Sequence, residues 1–262
     1  MANNDAPSGV RMSLWEHLDE LRGCIIRMLV AIILTGGFAF CMKESLFDIV
    51  LAPHSSDFIT WRWLDMMPFQ IHLMNTGLTE QFMIHITLSL YAGLLLASPY
   101  LLYELSRFIS PALYKKERYY CTIAIFFASV LFIFGTIVNY LLVFPLTVRF
   151  LGTYQVSDLV SNMLTIRSYI DTFIAMSLVM GVVFELPIVC WILGRIGILN
   201  GTLMKRYRRH AIIVMLIIAA IITPTTDVFT LLIVFLPIWL LYKVSILVVK
   251  KSRASERRAK FT

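Results

Sequence analysis

Residues 211–249 read AIIVMLIIAAIITPTTDVFTLLIVFLPIWLLYKVSILVV, and this stretch decides the fold class. It contains two apolar runs, residues 211–222 and 228–249, on either side of the short turn TPTTD. The second run is longer than the roughly 20 residues that a helix needs to cross a bilayer. The first run spans only about 18 Å at about 1.5 Å per residue, less than a hydrocarbon core of about 30 Å. We therefore predict a short hairpin of two membrane helices.

Four more apolar segments precede this hairpin, at residues 25–42, 82–102, 119–144 and 169–193. The chain of 262 residues is 59% hydrophobic and 15% charged, whereas a soluble domain carries about a quarter charged residues. The sequence therefore predicts an all-α membrane protein with six transmembrane helices. We divide it into an amphipathic N-terminal helix over residues 1–24, a six-helix membrane domain over residues 25–249 and a basic tail over residues 250–262.

The basic residues are distributed very unevenly between the two predicted faces. If the six segments cross in turn, 19 of the 23 Lys and Arg residues lie on one face and four on the other. Lys and Arg accumulate on the cytoplasmic side of membrane proteins, so the basic face and both termini are predicted to be cytoplasmic. The net charge of +7 is then a signature of membrane topology, and no nucleic-acid partner is expected.

Several acidic residues lie on this basic face. The stretch SLWEHLDELR, residues 13–22, contains Glu16, Asp19 and Glu20. Ser13 and Glu16 have the spacing of a capping box, and the apolar residues recur at the spacing of one helix face. Carboxylates in a cation-rich region indicate a site for a cationic ligand. The alternative is a solvated acidic face in which Asp19 pairs with Arg22.

The loop between the second and third segments carries another acid, Glu117. Its neighbours Lys116 and Arg118 offer a local salt bridge as the alternative to a ligand site. Pro111 limits helix continuation in the same loop.

Glu185, in the stretch GVVFELP of residues 181–187, lies inside the fourth segment. A carboxylate in the membrane costs about 2.5–3.5 kcal/mol, so it must face protein, water or a partner. A structural hydrogen bond to another helix is the alternative.

Other polar or constrained positions carry weaker signals. Asp227 lies in the turn at residues 223–227 and can support it by bonding its own backbone, and Pro53 can shape the exit from the first segment. His72 and His85 have no second ligand at helical spacing, so no metal site is predicted. The sequence contains no phosphate-binding loop, zinc-protease motif or nucleophile elbow. We expect neither catalytic residues nor a cofactor.

Several short blocks occur together in a specific order. The first three are HLDELR at residues 17–22, SP at 98–99 with Tyr103, and FISPALYKKER at 108–118. The others are FP at 144–145, FELP at 184–187, TP at 223–224 with Asp227, and LP at 236–237 with LY at 241–242. In this order the blocks resemble the TatC family of the twin-arginine protein translocases.

The resemblance implies a receptor for signal peptides that carry paired arginines, in a translocase that exports folded proteins across the bacterial cytoplasmic membrane using the proton-motive force. It implies that Glu20 and Glu117 receive the arginines, with Phe108, Asp19 and Arg22 in the same region. It further implies an oligomeric complex in which Glu185 contacts single-span partners similar to TatA and TatB.

The chain departs from the family pattern at some positions. Glu104 stands where Gln is common, Ser106 replaces a common Trp, and Lys243 follows the last tyrosine in place of Glu. Two other functions stay open at this point. One is a proton-coupled small-molecule secondary transporter with Glu185 as a proton relay, although no internal repeat supports it. The other is a structural membrane scaffold without a ligand.

Overall fold

The computed structural model describes residues 14–54, 58–63, 73–109, 115–154, 163–195, 198–223 and 227–259. Within these ranges the chain is almost entirely helical. The helices are α1 (Leu14–Cys41), α2 (Lys43–Leu51), α3 (Ile59–Trp63), α4 (Glu80–Ile109), α5 (Lys115–Val138), α6 (Phe144–Thr153), α7 (Ile166–Phe184), α8 (Leu186–Arg195), α9 (Gly201–Arg206), α10 (Arg208–Ile222) and α11 (Val228–Ala259). Two short strands, β1 (Leu73–Met74) and β2 (Leu164–Thr165), pair in parallel between the loops.

Five helical stretches of the described chain are long and apolar enough to cross a membrane: Trp15–Cys41, Glu80–Phe108, Ile123–Thr153, Ile166–Arg195 and Val228–Lys250. The all-helical membrane class is therefore confirmed. The predicted fifth segment forms α10, a helix of 15 residues, which spans about 22 Å. It packs against α11, as a short hairpin requires, while a sixth crossing stays a prediction.

Several helices extend across the predicted segment boundaries, each for an identifiable reason. The predicted N-terminal helix and the first segment are one helix, α1, because nothing near residue 24 breaks the helix. The third segment continues to Thr153, since a π-helical turn at Asn139–Val143 precedes Pro145 and proline is tolerated in the first turn of a helix. The tail predicted to begin at residue 250 continues α11 as far as Ala259.

The core is built around α7. Its buried residues include Ile170, Phe173, Met176 and Met180, which pack against residues of α4, α6, α10 and α11. Trp61 of α3 is buried at 2% exposure. A buried hydrogen bond of 2.8 Å from Asn139 Nδ2 to Ser177 Oγ joins the π-helical turn to α7.

The helices α1 and α4 cross at very short range through two glycines. A Cβ atom at Gly93 would overlap the backbone of Gly36, so only glycine fits at position 93. Thr35 Oγ1 donates a hydrogen bond of 2.8 Å to the carbonyl of Gly93 at the same crossing. Small residues let membrane helices approach closely, and packing contacts then hold them together. This crossing sets the position of α1, since its principal contacts are with α4.

We predict that Gly93→Ala destabilises the protein by about 1–3 kcal/mol, the usual cost of overpacking a tight contact. The thermal unfolding midpoint in detergent, followed by tryptophan fluorescence, measures the effect. Gly37→Ala is the matched control, because a Cβ atom at Gly37 would meet nothing within 4 Å. Equal midpoints for the two variants would show that the close crossing is unimportant for stability.

Candidate functional site

The first candidate site lies where the N-terminal end of α1 meets the C-terminal end of α4. His17 and Phe108 stack with ring centroids 4.5 Å apart, so Phe108 lies beside the acidic stretch. Glu20 lies one turn after His17 and is half-buried. Its Oε2 atom is buried and has no hydrogen-bond partner in the described part of the chain. A buried acceptor that has lost water without gaining a donor costs free energy. Glu20 is therefore an acid at which a ligand could supply the missing donor.

The other predicted residues of this site are either exposed or not fully described by the structure. Asp19 and Arg22 are both exposed on α1. The pairing of Asp19 with Arg22, considered as an alternative, is not among the ion pairs of the described residues. Glu117 lies in the first turn of α5, but its side chain is outside what the structure describes, and so is the whole of Pro111. The proximity of Glu20 to Glu117 therefore stays a prediction.

A second carboxylate at this end, Glu104, was not recognised from the sequence as a site residue. Its side chain is 3% exposed and accepts a hydrogen bond of 2.9 Å from Arg27 Nη2. Tyr100 donates its hydroxyl proton to Glu104 Oε1 at 3.1 Å, and Arg107 Nη1 lies 3.8 Å from the same oxygen. The chain itself thus provides Glu104 with its partners, which are two arginine side chains and one tyrosine hydroxyl.

One sequence signal for this cluster was present. Glu104 was noted as a departure from the resembled family, where Gln is common, and Arg27 is the next basic residue after Arg22. The two residues are 77 positions apart in the chain. Only the pairing of α1 with α4 brings them together, and spacing within a single helix does not reveal such a pair.

Glu185 marks a break inside the fourth segment. It lies in the single turn between α7 and α8, and Pro187 follows in the first turn of α8. The side chain is half-buried, and its buried Oε1 atom has no hydrogen-bond partner among the described residues. The structural hydrogen bond to another helix, considered as an alternative, is therefore not seen in the described contacts of this atom.

The remaining predicted positions have local structural roles. Asp227 precedes α11, and its Oδ2 accepts a hydrogen bond of 2.8 Å from the Thr230 amide while its Oδ1 accepts one of 2.6 Å from the Thr230 hydroxyl. This is the geometry of a helix N-cap. Pro53 is buried in a 3₁₀ turn at Ala52–His54. The ring of His85 stacks on Phe40 at 4.0 Å, whereas His72 lies outside the described residues.

Comparison with known proteins identifies related sequences over most of the chain. A family model described as "Sec-independent protein translocase protein (TatC)" matches residues 16–237. The chain is 37% identical over 252 residues to the TatC protein of Koribacter versatilis, covering 95% of this chain and 90% of that protein. It is 32% identical to the TatC protein of Aquifex aeolicus, covering 90% and 93%.

Solved structures agree with these sequence relatives. A crystal structure described as that of the twin-arginine translocase receptor TatC superposes with a TM-score of 0.74 at 31% identity, covering 91% of this chain and all of that one. A second crystal structure of that receptor, obtained in the detergent DDM, superposes with a TM-score of 0.75 at 31% identity and covers 90% of this chain.

We predict that Asp227→Ala destabilises α11 by about 1 kcal/mol, because two hydrogen bonds to Thr230 are lost. Asp227→Asn is the matched variant, since asparagine caps helices nearly as well as aspartate. Thermal unfolding of the purified protein compares the two. A loss of stability in the asparagine variant as large as in the alanine variant would indicate that the charge of Asp227, rather than its cap, is what matters.

Proposed function

The chain belongs to the TatC family of Sec-independent protein translocase proteins, and we propose that it is the component that receives the twin-arginine signal peptide. As a member of this family it is a non-enzymatic membrane component of a bacterial Tat translocase. The proposal concerns the role of this protein in the complex: recognition of paired arginines by Glu20 and Glu117, next to Phe108, Asp19 and Arg22.

The observation that carries the proposal is the buried oxygen of Glu20, which has no donor in the described part of the chain. A guanidinium group binds a carboxylate through two parallel N–H bonds, and a lysine ammonium cannot reproduce this geometry. An arginine from a peptide would supply the missing donors. The contrast with Glu104 supports this assignment, since the described residues already provide Glu104 with an arginine partner.

The proposed orientation places this site in the cytoplasm. With six crossings, 19 of the 23 basic residues lie on the same side as both termini, in agreement with the positive-inside rule. In this arrangement α10 is the short fifth crossing, and it needs longer neighbouring helices or a locally thin bilayer. Signal peptides reach the membrane from the cytoplasm, so the site faces its ligand.

We assign the second open carboxylate, Glu185, to contact with single-span partner proteins similar to TatA and TatB. The Tat translocase is a complex of several proteins, and a polar side chain on a partner's membrane helix would provide the hydrogen bond that the Oε1 atom of Glu185 lacks in the described residues. Interhelical hydrogen bonds of this kind hold membrane helices together. Energy for export would come from the proton-motive force. The small-molecule transporter alternative is not favoured by the family membership.

We predict that Glu20→Gln weakens binding of a peptide with paired arginines by roughly 10- to 100-fold, because charge-assisted hydrogen bonds contribute about 1.5–3 kcal/mol. Glu117→Gln should have a similar effect. Binding of a fluorescent signal peptide to the purified protein in detergent measures the affinity. Since the Arg-Arg requirement comes from bidentate bonding, a peptide with paired lysines should bind weakly to the unchanged protein.

The control for these variants is Glu44→Gln, which removes one negative charge from an exposed position on α2. It should leave peptide affinity unchanged. If the unchanged protein bound the arginine and lysine peptides with equal affinity, recognition through bidentate arginine–carboxylate bonds would be refuted.

We predict that Glu185→Ala leaves signal-peptide affinity within about twofold of the unchanged protein, because Glu185 lies on a different element from Glu20, and distant sites usually act independently. Recovery of the single-span proteins with the purified complex, and export of a folded cargo, should both fall. Glu185→Gln keeps a hydrogen-bonding group and should retain more of both activities. Photo-crosslinks from position 185 that reach only this chain, together with normal export by the alanine variant, would contradict the assignment.

A further inference from the structure

Two guanidinium groups share a single carboxylate where α1 meets α4. Arg27 Nη2 lies 2.9 Å from Glu104 Oε2, and Arg107 Nη1 lies 3.8 Å from Glu104 Oε1. The three side chains therefore carry one unit of positive charge in excess. The Glu104 side chain is 3% exposed, while those of Arg27 and Arg107 are 42% and 59% exposed. The excess positive charge therefore lies on the exposed sides of the two arginines.

Arg27 and Arg107 each keep N–H groups that have no acceptor among the described residues. A guanidinium group carries five N–H donors and no acceptor. Glu104 Oε1 also accepts from the Tyr100 hydroxyl, so this carboxylate cannot saturate both arginines. An anionic acceptor at the exposed sides would complement the surplus charge of the cluster, and phosphate oxygens match the planar fork of arginine well.

An apolar groove begins at the same place and runs along the outer surface of α1 and α4. Its volume is about 550 Å³. Along α1 it extends from residue 26 to residue 35, a length of about 14 Å at about 1.5 Å per residue. Half of a bilayer's hydrocarbon core is about 15 Å thick, so the groove has the depth of one leaflet. Its principal apolar walls are Ile26, Val30, Leu34, Leu96 and Ala97.

We propose that this groove and the Arg27–Glu104–Arg107 cluster together bind one anionic phospholipid. The phosphate lies against the exposed sides of the two arginines, and one acyl chain fills the groove between α1 and α4. Charge complementarity selects this occupant, because an apolar helix from a partner brings no anion to the surplus charge. A free phosphate ion would leave the groove empty. The proposal is independent of the signal-peptide site.

Arg107→Gln is the primary variant, because it removes the surplus charge at an exposed position and leaves the Arg27–Glu104 pair in place. The full-length protein, purified in detergent, is offered phosphatidylglycerol or phosphatidylcholine with identical acyl chains. Retained lipid is counted by native mass spectrometry. The unchanged protein should retain phosphatidylglycerol in preference, and Arg107→Gln should lower this preference roughly fivefold, the usual effect of one basic residue near an anionic surface.

Glu104→Gln changes the charge in the opposite direction and should raise the preference for phosphatidylglycerol. Arg206→Gln is the control, since it removes an exposed basic residue on α9, outside the groove, and should change nothing. The proposal is overturned if the unchanged protein shows no preference, or if Arg206→Gln and Arg107→Gln have equal effects.

Val30→Trp tests the acyl-chain half of the proposal, because Val30 is exposed at 50% and lines the groove. It should reduce retention of phosphatidylglycerol while both arginines remain. Inorganic phosphate at millimolar concentration should not displace the lipid. Full displacement by phosphate would mean that only a free anion binds. Val30→Trp could instead lose a co-purified single-span protein while its lipid preference stays unchanged. That result would show that the groove binds a partner's membrane helix and not a lipid.

Discussion

A carboxylate that loses contact with water needs a hydrogen-bond donor in its place, and the bilayer interior supplies none. Within the described residues, several acids are satisfied locally: Glu104 by Arg27 and Tyr100, Asp171 by Arg167, and Asp227 by the start of α11. Glu20 and Glu185 each keep a buried oxygen without a partner in that part of the chain. These two positions are where a binding partner has the most to contribute.

The close crossing of α1 and α4 makes the first of these positions possible. The two helices touch at Gly36 and Gly93, and from that contact they extend together toward the end where His17 stacks on Phe108. The Arg27–Glu104 ion pair lies between the crossing and this end. Arg27 is 42% exposed while Glu104 is buried, so the pair supplies the buried carboxylate with a donor and links the two helices close to Glu20. A loose crossing would let Glu20 move away from Phe108.

Much of the fold was predictable because membrane insertion imposes long apolar segments that composition alone reveals. The short fifth segment and its pairing with the sixth follow from the length of the run at residues 211–222 and the turn after it. What the sequence did not show depends on contacts between distant segments. The π-helical turn at Asn139 bonds to Ser177, and Glu104 meets Arg27, through helix pairs that no single window of sequence contains.

The candidate site shows the same division between residue chemistry and geometry. Glu20, Phe108 and Glu185 were identified by residue type, position and resemblance, and the first two lie on the adjoining ends of α1 and α4. The resemblance singled out Glu20 and Glu117 among the acids of the basic face, but formal charge alone does not distinguish an acid with an internal arginine from an acid without one. The structure separates them. Glu104 resembles what Glu20 would become with an arginine bound: a carboxylate of low exposure with a guanidinium at 2.9 Å. The chain therefore contains an internal guanidinium–carboxylate contact at the same helix pair, made through one N–H bond from Arg27 to one oxygen of Glu104, whereas the bond that we propose for the peptide arginine uses both carboxylate oxygens.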